Sequence, residues 1–565
     1  MIFLNATLGR RPAVARPDRR QPPPAIPIEP NLLYYATMNA REMPQTVTGL
    51  IEAAASAAPD GVAVHYNTTM LTYSGLAGQA RRIAGGLAAL GVRPGDRVAF
   101  WLPNIPAYLT LYFACARLGA VAVAVNTRYR AAEIGDIVGR SGAKILVLWP
   151  YFRGVNFPAI LADIDPAALD RLETVIVYSE AADPPSFTLG RARTVSYERI
   201  ARHARYNGNS GTRQGGCNIF TTSGTTQAAK FVLHGHGGIT DHALQVAASF
   251  GLSEPGTVSY LGLPLCGVFG FTQAMAMVAA GKPMVLASAF DAQEALALMT
   301  RHRVTYFNAS DDMVDRLLGA AQSSGPFTHV RSVGYATFNA SLDDIVTRAD
   351  ARGLTLTALW GMSELQAMAA RRDPEDSAQR RAIPGGKLVS PAAQVRVRDP
   401  ESGALLAIGE VGALEISAPS RMLGYYGDPA ATQAAFCDDG FIRTGDLGML
   451  EADGAFTFVF RMGDALRLGG FLVGPAEIEA QIQSHGSVDN VQVVAAGNRA
   501  VAFITLAAGN GLDEAAIQAH CARRLAKYKV PARIVALDAF PVTDSANGVK
   551  IQRARLRKMA EEIFK

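Results

Sequence analysis

Cysteine is scarce in this chain: five cysteines are spread over 565 residues and lie far apart. No Cys-x-x-Cys pair and no cluster of Cys with His occurs, so neither a disulfide framework nor a zinc site is predicted. The net charge of +5 is small for this length, and the basic residues are dispersed. A nucleic-acid-binding role therefore has no support. Because the cysteines predict no disulfide framework, a reduced, cytoplasmic setting is expected.

Long apolar runs are also lacking. The longest, residues 107–125, is interrupted by Thr110 and Arg117 and indicates a buried helix followed by a strand, not a membrane span. Residues 1–30 are rich in Arg and Pro, nearly lack acidic residues, and open with only four apolar residues, too few for a signal-peptide core. We expect them to form a disordered or extended lead-in.

Helix-like and strand-like patterns alternate from about residue 45 to residue 460. Residues 74–90 predict an amphipathic helix, and residues 97–101 and 120–125 predict strands on either side of a helix at 107–118. This rhythm predicts an α/β fold, with parallel-rich sheets flanked by helices. Short strands after residue 390 predict a distorted antiparallel β subdomain. We therefore expect a large domain over 31–461 and a small, mobile α+β lid domain over 462–565.

Residues 220–230 read Phe-Thr-Thr-Ser-Gly-Thr-Thr-Gln-Ala-Ala-Lys, with five hydroxyl side chains in six positions. The segment follows a short β-favouring run, and Gly224 gives the backbone freedom for a sharp turn. Such a loop can bind phosphate oxygens through hydroxyls and backbone N–H groups, with Lys230 as a mobile positive charge. The spacing is not that of the Gly-x-x-x-x-Gly-Lys-Ser/Thr loop, so a polar turn between strands is the alternative.

Further segments downstream carry residues suited to a nucleotide. Residues 360–364 read Trp-Gly-Met-Ser-Glu after a predicted strand, where an aromatic ring can stack on a base and a carboxylate can hold Mg²⁺. Residues 440–448 form a turn-rich loop around Asp446, a carboxylate able to accept both hydroxyls of a ribose. Residues 461–470 are rich in Gly and Arg, and residues 545–553 carry Lys550. Taken singly, each segment has a structural alternative. Residues 360–364 could be a strand cap, Asp446 could belong to a tight turn, and Lys550 could be a solvated surface lysine.

Together and in this order, the segments resemble the adenylate-forming superfamily of acyl-CoA synthetases, aryl-CoA ligases, adenylation enzymes and beetle luciferases. The resemblance covers about residues 45–560, and the segments at 409–412, 424–426 and 528–531 support it. It implies that Glu364 is the Mg²⁺ carboxylate, assisted by Thr222, and that Lys550 is the catalytic lysine that bridges the reacting carboxylate and the α-phosphate. It implies ATP, Mg²⁺ and CoA as cofactors and a small carboxylic acid as substrate.

The remaining implied roles fall into five groups. The ATP phosphates would be bound by Thr222, Ser223, Gly224, Thr225, Thr226, Lys230 and Ser363, and the adenine and ribose by Tyr335, Ala336, Trp360, Gly361, Met362, Asp446 and Arg461. The acyl pocket would be lined by Cys266, Gly267, Val268, Phe269 and Gly334. Gly469 and Gly470 would line the pantetheine tunnel for CoA, and Gly463 would be the hinge of the small domain.

Two stretches depart from the family pattern. The phosphate loop usually continues Gly-x-Pro-Lys-Gly, whereas residues 227–231 read Gln-Ala-Ala-Lys-Phe, which changes the backbone options of the loop. Acyl-CoA synthetases often have Phe-His where this chain has Cys266 and Gly267. The loss of two large rings predicts room for a bulky, aryl or polycyclic acid, unless Tyr335, Phe338 or Phe269 fills the gap.

The resemblance therefore predicts an ATP-dependent acyl-CoA synthetase that makes acyl-AMP, releases pyrophosphate and transfers the acyl group to CoA. A close alternative is an acyl-AMP ligase that loads the phosphopantetheine of an acyl carrier protein. An alternative of another class is a degenerate, non-catalytic nucleotide- or acyl-binding protein. No nucleic-acid partner and no membrane span are expected, and a homodimer is left open.

Overall fold

Two large sheets organise most of the chain. The computed structural model describes residues 43–180, 189–222, 229–322, 325–339, 342–468, 471–545 and 548–565. The predicted lead-in over 1–30 lies outside these residues.

The helices are α1 (Val47–Ala57), α2 (Tyr73–Ala89), α3 (Pro106–Leu118), α4 (Ala131–Ser141), α5 (Phe157–Ala162), α6 (Tyr197–Ala201), α7 (His236–Ser249), α8 (Val268–Ala280), α9 (Ala292–His302), α10 (Asp311–Ala320), α11 (Ile345–Asp350), α12 (Ala378–Arg381), α13 (Pro429–Ala435), α14 (Pro475–Gln483), α15 (Glu514–Ala522) and α16 (Arg553–Ile563).

The strands up to residue 371 are β1 (Val62–Tyr66), β2 (Thr69–Thr72), β3 (Arg97–Trp101), β4 (Val121–Ala124), β5 (Ile145–Leu148), β6 (Thr174–Val177), β7 (Arg193–Ser196), β8 (Gly216–Thr221), β9 (Phe231–Gly235), β10 (Ser259–Leu261), β11 (Met284–Leu286), β12 (Tyr306–Ser310), β13 (Ser332–Ala336), β14 (Leu356–Met362) and β15 (Gln366–Arg371). The later strands are β16 (Gly385–Leu388), β17 (Gln394–Arg398), β18 (Gly412–Ser417), β19 (Gly424–Tyr425), β20 (Ile442–Leu450), β21 (Phe456–Arg461), β22 (Leu466–Leu468), β23 (Phe471–Val473), β24 (Val488–Ala496), β25 (Arg499–Leu506), β26 (Arg533–Ala536), β27 (Val542–Ser545) and β28 (Gly548–Ile551).

The first sheet has the described strand order β19-β9-β8-β4-β3-β5-β6-β7. Strands β3 to β8 pair in parallel, and the β8–β9 hairpin and β19 add antiparallel pairs at one edge. Its parallel strands β4, β5 and β6 are buried throughout, as expected when helices cover both faces.

The second sheet has the described order β17-β18-β20-β21-β16-β15-β14-β13-β12-β10-β11-β1-β2. The sheet has a parallel part, made of β14, β13, β12, β10, β11 and β1. From β14 the sheet continues to its edge through antiparallel pairs, in the order β15, β16, β21, β20, β18 and β17. The predicted antiparallel strands after residue 390 are therefore hydrogen-bonded onto the parallel sheet.

Helices α3, α7 and α8 lie between the two sheets. Every residue of α8 is buried, and one hydrophobic cluster joins these helices to Phe100 and Ala122 of the first sheet and to Leu261 and Met284 of the second. A helix that is apolar all round, as α8 is, belongs inside a large core rather than on a surface. The layered arrangement confirms the predicted fold class.

The C-terminal residues form a small α+β unit, as predicted. Strands β24 and β25 are antiparallel, β25 and β26 are parallel, and helices α14, α15 and α16 pack on them around separate apolar clusters. In the parts of the chain that the structure describes, no helix combines the length and the apolar character needed to cross a bilayer.

Replacing His236 is expected to make the protein less sensitive to acid. Its side chain is buried, neither ring nitrogen has a hydrogen-bond partner among the described residues, and burial lowers its pKa to about 4. The unfolded chain binds a proton at this histidine near pH 6.5, whereas the folded protein does so only near pH 4. The stability of the folded state is therefore unaffected above pH about 6.5 and falls as the pH drops towards 4. His236→Leu should be as stable as the wild type at pH 7, or more stable by about 1 kcal/mol, because an unpaired buried polar group is removed.

Urea unfolding at pH 7 and pH 5 provides the measurement. The wild type should lose about 2 kcal/mol more than His236→Leu between these two pH values. His203→Leu, which removes an exposed imidazole, serves as the matched control. An equal loss in wild type and His236→Leu would contradict the prediction.

Candidate active site

The β8–β9 hairpin brings Thr222 and Lys230 together at the base of the predicted phosphate loop. The Thr222 amide donates to the Lys230 carbonyl at 3.0 Å, and the Lys230 amide donates to the Thr222 hydroxyl at 3.2 Å. The loop thus begins and ends at one point, although Ser223, Gly224, Thr225 and Thr226 lie outside the described residues. Their assignment to phosphate binding stays a prediction.

Tyr425 connects Lys230 to Glu364. Its hydroxyl donates to Glu364 Oε1 at 2.7 Å, and Lys230 Nζ lies 4.7 Å from the centre of its ring. Burial and the neighbouring Glu364 carboxylate raise the pKa of Tyr425, so the phenol stays protonated and acts as a donor. Strand β19 places this ring beside β9, where Tyr425 pairs with Val232. The predicted cation and the predicted metal carboxylate therefore both contact one tyrosine side chain, Lys230 at its ring and Glu364 at its hydroxyl.

The turn that carries Glu364 is held by two buried histidines. His234 Nε2 lies 2.7 Å from the Ser363 carbonyl oxygen, and His242 Nε2 lies 2.7 Å from the Ala367 carbonyl oxygen. Burial lowers the pKa of both imidazoles to about 4, so each ring is neutral at pH 7 and donates its N–H to the carbonyl. Gln366 has a φ of +63°, which is strained for a non-glycine residue, and the two contacts fix the turn on either side of it.

Asp446 is buried at the edge of the site between Trp360 and Arg461. The Trp360 indole N–H donates to Asp446 Oδ2 at 3.1 Å. Arg461 Nε lies 3.3 Å from Oδ1 without the alignment of a hydrogen bond, so Oδ1 has no hydrogen-bond partner among the described residues. Burial raises the pKa of Asp446, and Arg461 and the Trp360 N–H oppose that shift. A buried carboxylate oxygen with unused acceptor capacity suits a hydroxyl donor.

Trp360 itself belongs to a hydrophobic core. It is 6% exposed, and its ring meets Phe456 edge-on at 5.4 Å between centres. The structure thus shows the indole as the partner of Asp446, and stacking on adenine remains a prediction. Gly361 is required by close packing, because a Cβ there would lie 2.8 Å from the backbone of Ala367.

Strand β13 divides its predicted site residues between two faces of the second sheet. The side chain of Tyr335 packs into the cluster formed with helices α9 to α11, and its hydroxyl donates to the Ala382 carbonyl oxygen at 3.4 Å. Ala336 packs against the opposite, inter-sheet cluster, and Gly334 faces Asn308, since a Cβ on Gly334 would lie 2.3 Å from Asn308 Oδ1. Tyr335 therefore has only its backbone available for the predicted role at adenine.

A polar cleft of about 640 Å³ is lined by Lys230, Glu364, Tyr425 and Arg461 together. Four cationic side chains and two carboxylates contribute to its described lining, so its charge favours a polyanion. The charged lining residues are Arg140, Lys230, Arg443, Arg461, Glu364 and Asp428, and Met362 and Thr444 also face the cleft.

The predicted acyl-pocket residues lie at the start of α8. Gly267 is the N-cap, and Val268 and Phe269 in the first turn are buried against the inter-sheet cluster. Burial raises the pKa of the Cys266 thiol to about 12, so the thiol is protonated at neutral pH. It packs against the same cluster as a small apolar group.

The structure describes only some of the predicted site residues in the C-terminal part of the chain. The Gly463 carbonyl accepts a hydrogen bond from Arg557 Nη2 at 2.7 Å, and a Cβ on Gly463 would meet nothing within 4 Å. Lys550 lies on β28, paired in register with Thr543 of β27. Gly469 and Gly470 lie outside the described residues, so the predicted CoA tunnel stays a prediction.

Mg²⁺ fits the donor set at Glu364 only together with phosphate oxygens. Among the described residues, no group of three or more His, Cys, Asp or Glu side chains could hold a metal. The Glu364 carboxylate, with the Thr222 hydroxyl that the family resemblance adds, would be the kind of incomplete set that Mg²⁺ accepts when a substrate phosphate and water supply the other ligands.

Sequence reasoning missed three residues that shape the site: Tyr425, His234 and His242. Tyr425 lies within the supporting segment 424–426. Sequence gave no signal that β19, in the first sheet, would bring its side chain to Glu364 at the end of β14 in the second sheet. The histidines face the Glu364 turn from β9 and α7, more than 120 residues earlier in the chain. A lone histidine in an apolar stretch carries no sign of which carbonyl it will bind.

Comparison with known proteins gives matches over most of the chain. The family model described as AMP-binding enzyme matches residues 51–426, and that of the AMP-binding enzyme C-terminal domain matches residues 477–547. The feruloyl-CoA synthase of an Amycolatopsis species is 29% identical over 510 residues, covering 88% of this chain and 96% of that protein. A Mycobacterium tuberculosis CoA ligase, named for a methyl-dioxo-octahydroindenyl propanoyl group, is 29% identical over 528 residues, covering 91% and 99%. The solved structure of ATP-bound MatB from Rhodopseudomonas palustris is 25% identical with a TM-score of 0.79, covering 92% and 100%.

Proposed function

The chain belongs to the AMP-binding enzyme family, and from that premise we propose that it is an ATP-dependent acyl-CoA synthetase, an AMP-forming acid–thiol ligase. One observation carries the proposal: Lys230, Glu364, Thr444 and Arg461 line a single cleft, and Asp446 lies at its edge beside Arg461. A cation, a metal carboxylate and a ribose acceptor are the groups that a bound ATP would need. Two relatives named as CoA ligases support the same activity.

The first half-reaction joins two anions, so it requires positive charge and positioning. The acid's carboxylate oxygen attacks the α-phosphorus of ATP, the bond from that phosphorus to the bridging oxygen breaks, and pyrophosphate leaves with the electron pair. Lys230 and Arg461 face the phosphates, Asp446 accepts the ribose hydroxyls, and Lys550 approaches the carboxylate and α-phosphate. Mg²⁺, when bound at Glu364, neutralises charge on the phosphate oxygens.

The second half-reaction forms the thioester. The sulfur of CoA attacks the carbonyl carbon of acyl-AMP, the thiol proton is released, and AMP leaves. Because Lys550 and the Gly469–Gly470 segment serve different steps, the small domain is proposed to rotate about Gly463 between them. The open space around Gly463 supports this proposal, since no side chain packs against the position of its missing Cβ.

The acid is proposed to be bulky, in the aryl or polycyclic range. Three side chains were candidates to refill the space beside Gly267, and two of them are directed elsewhere: Tyr335 packs on the opposite face of the sheet, and Phe338 is 42% exposed. The named acyl groups of the two relatives, feruloyl and octahydroindenyl propanoyl, are of this size class.

Gly267→His is expected to exclude large acids. An imidazole at the N-cap of α8 fills the space that the missing rings leave, so kcat/KM for aryl and polycyclic acids should fall at least about 10-fold. Short aliphatic acids should be affected less than about 3-fold. Steady-state kinetics over a size series, with Gly267→Ala as the matched small substitution, gives the comparison. Full activity of Gly267→His on the largest acids would contradict the expectation.

Acid-dependent pyrophosphate release in the presence of ATP and Mg²⁺ tests the function itself. Release that requires both an acid and Lys550 supports adenylation, and thioester formation with free CoA supports the synthetase activity. Faster acyl transfer to a holo carrier protein than to CoA would favour the carrier-loading alternative. No release across aliphatic, aryl and polycyclic acids would favour a non-catalytic binding protein.

A further inference from the structure

Residues 229–231 close the predicted phosphate loop, and helix α4 holds them through one side chain. Arg140, in the last turn of α4, donates from Nη2 to the Ala229 carbonyl oxygen at 2.6 Å. Its Cζ atom lies 4.1 Å from the centre of the Phe231 ring. These two contacts flank Lys230 in the chain, so Arg140 fixes both neighbours of the predicted phosphate cation.

Asp136 sets the direction of the Arg140 guanidinium. Its Oδ1 accepts from Arg140 Nε at 2.6 Å and its Oδ2 from Nη2 at 2.7 Å, a bidentate pair between residues one turn apart on α4. Such a pair fixes the plane of the guanidinium as well as its position. Both side chains are partly exposed, so the pair contributes little to stability and acts mainly on orientation.

Phe231 ties the start of β9 to the same helix. It is 1% exposed and belongs to the apolar cluster that contains Ile137 and Val138 of α4. Ala229 and Phe231 stand where the family pattern has proline and glycine. Proline restricts the backbone by itself, whereas alanine does not, so in this chain the contacts with α4 supply the restraint.

The restrained residues lie in the candidate active site. Arg140, Ala229, Lys230 and Phe231 all line the polar cleft, and Lys230 Nζ lies over the ring of Tyr425. A shift of residues 229–231 would move the Lys230 ammonium within that cleft. A displacement of about 1 Å in a positioned group can cost about 100-fold in rate, so the placement of this backbone affects the chemistry.

We propose that Arg140 is a positioning residue for the ATP phosphates. Through the Ala229 carbonyl and the Phe231 ring, it holds Lys230 where the pyrophosphate part of ATP binds. The inference rests on the proposed function and extends the site to helix α4. The Asp136 carboxylate offsets the charge of the guanidinium, so Arg140 acts by geometry and not as a further cation for the phosphates.

Kinetics of the full-length enzyme separates the phosphates from the rest of the reaction. In Arg140→Met, the KM for ATP should rise about 10-fold, with kcat and the KM for the acid changed less than about 3-fold. In the reverse reaction, ATP formation from acyl-AMP, the KM for pyrophosphate should rise in the same way. Transfer from acyl-AMP to CoA should change less than about 2-fold, because that step involves no β- or γ-phosphate. Arg140→Lys should be intermediate, since it keeps a donor for the Ala229 carbonyl but loses the planar fork.

Asp136→Asn is a substitution for which geometry and charge predict opposite results. Loss of a negative charge beside a polyanion site would lower the KM for ATP if Arg140 acted as a cation. The inference predicts a rise of about 3-fold, because the amide offers the guanidinium one oxygen instead of two. A lower KM in Asp136→Asn would overturn it. Phe231→Leu should resemble Arg140→Met, and the two effects should combine less than additively.

The outcomes distinguish the inference from the proposed function. Equal rises in the KM for ATP and for the acid in Arg140→Met would make Arg140 a structural residue and overturn the inference, while the synthetase activity would stand. Without acid-dependent pyrophosphate release by the wild type, the proposed function fails. Calorimetric titration with ATP and Mg²⁺ then tests the inference, and equal affinities of wild type and Arg140→Met would overturn it.

Two controls accompany these measurements. Arg82→Met removes an exposed arginine from α2 and should leave every constant near wild type. Urea unfolding of each variant shows whether a loss reflects folding.

Discussion

Lys550→Ala should lose adenylation by about 100- to 1,000-fold, the largest effect that we expect from one substitution. The lysine is the cation proposed to bridge the acid and the α-phosphate as they react, and no neutral side chain can replace it. Thioester formation from a preformed acyl-AMP should change less than about 5-fold, because Lys550 is not proposed to act in that step.

The two half-reactions need separate assays. Pyrophosphate release measures adenylation, and consumption of synthetic acyl-AMP by CoA measures thioester formation. Lys558→Ala removes an exposed lysine from the same terminal region, on α16, and should leave both rates near wild type. If Lys550→Ala slowed both steps equally, the assignment of the lysine to adenylation would be wrong.

Asp446→Ala should raise the KM for ATP by roughly 30- to 100-fold, with a smaller effect on kcat. Two ribose hydroxyls would lose the charged acceptor proposed for them, and hydrogen bonds to a charged group contribute about 1.5–3 kcal/mol. Asp446→Asn keeps an acceptor for the Trp360 indole N–H but lowers the charge, so its effect should be intermediate. Kinetics at varied ATP and calorimetric titration with ATP and Mg²⁺ provide the measurements.

Trp360→Phe separates the two contacts of Asp446, the proposed one to the ribose and the one to the indole N–H. It removes the N–H that Asp446 accepts and leaves the carboxylate in place. Its KM for ATP should therefore change less than that of Asp446→Ala. An unchanged KM in Asp446→Ala would remove Asp446 from the nucleotide site and leave it as the buried partner of Trp360 and Arg461.

Local patterns were sufficient to predict several elements of the large domain. The helix predicted at 107–118 is α3, and the strand predicted at 97–101 has those bounds in the structure. Apolar periodicity and turn residues act over a few positions, so sequence alone reveals them. Sequence did not reveal that β15, β16, β21, β20, β18 and β17 continue the parallel sheet, because the step from β16 to β21 pairs strands far apart in the chain.

The motifs likewise predicted which residues carry chemistry, and the family models confirm an AMP-binding enzyme. They did not predict that Trp360 would give its N–H to Asp446 or that Tyr335 would face away from Gly334. Side-chain direction depends on which face of the sheet the neighbouring helices cover, and the motif itself does not specify it.

By itself, the sequence determined the family and the order of elements, and it predicted which side chains are reactive, because these follow from residue types at short spacings. Only the tertiary structure decided which of these side chains meet. Glu364 is linked to Lys230 by a tyrosine from a third segment, and its turn is held by histidines from two others.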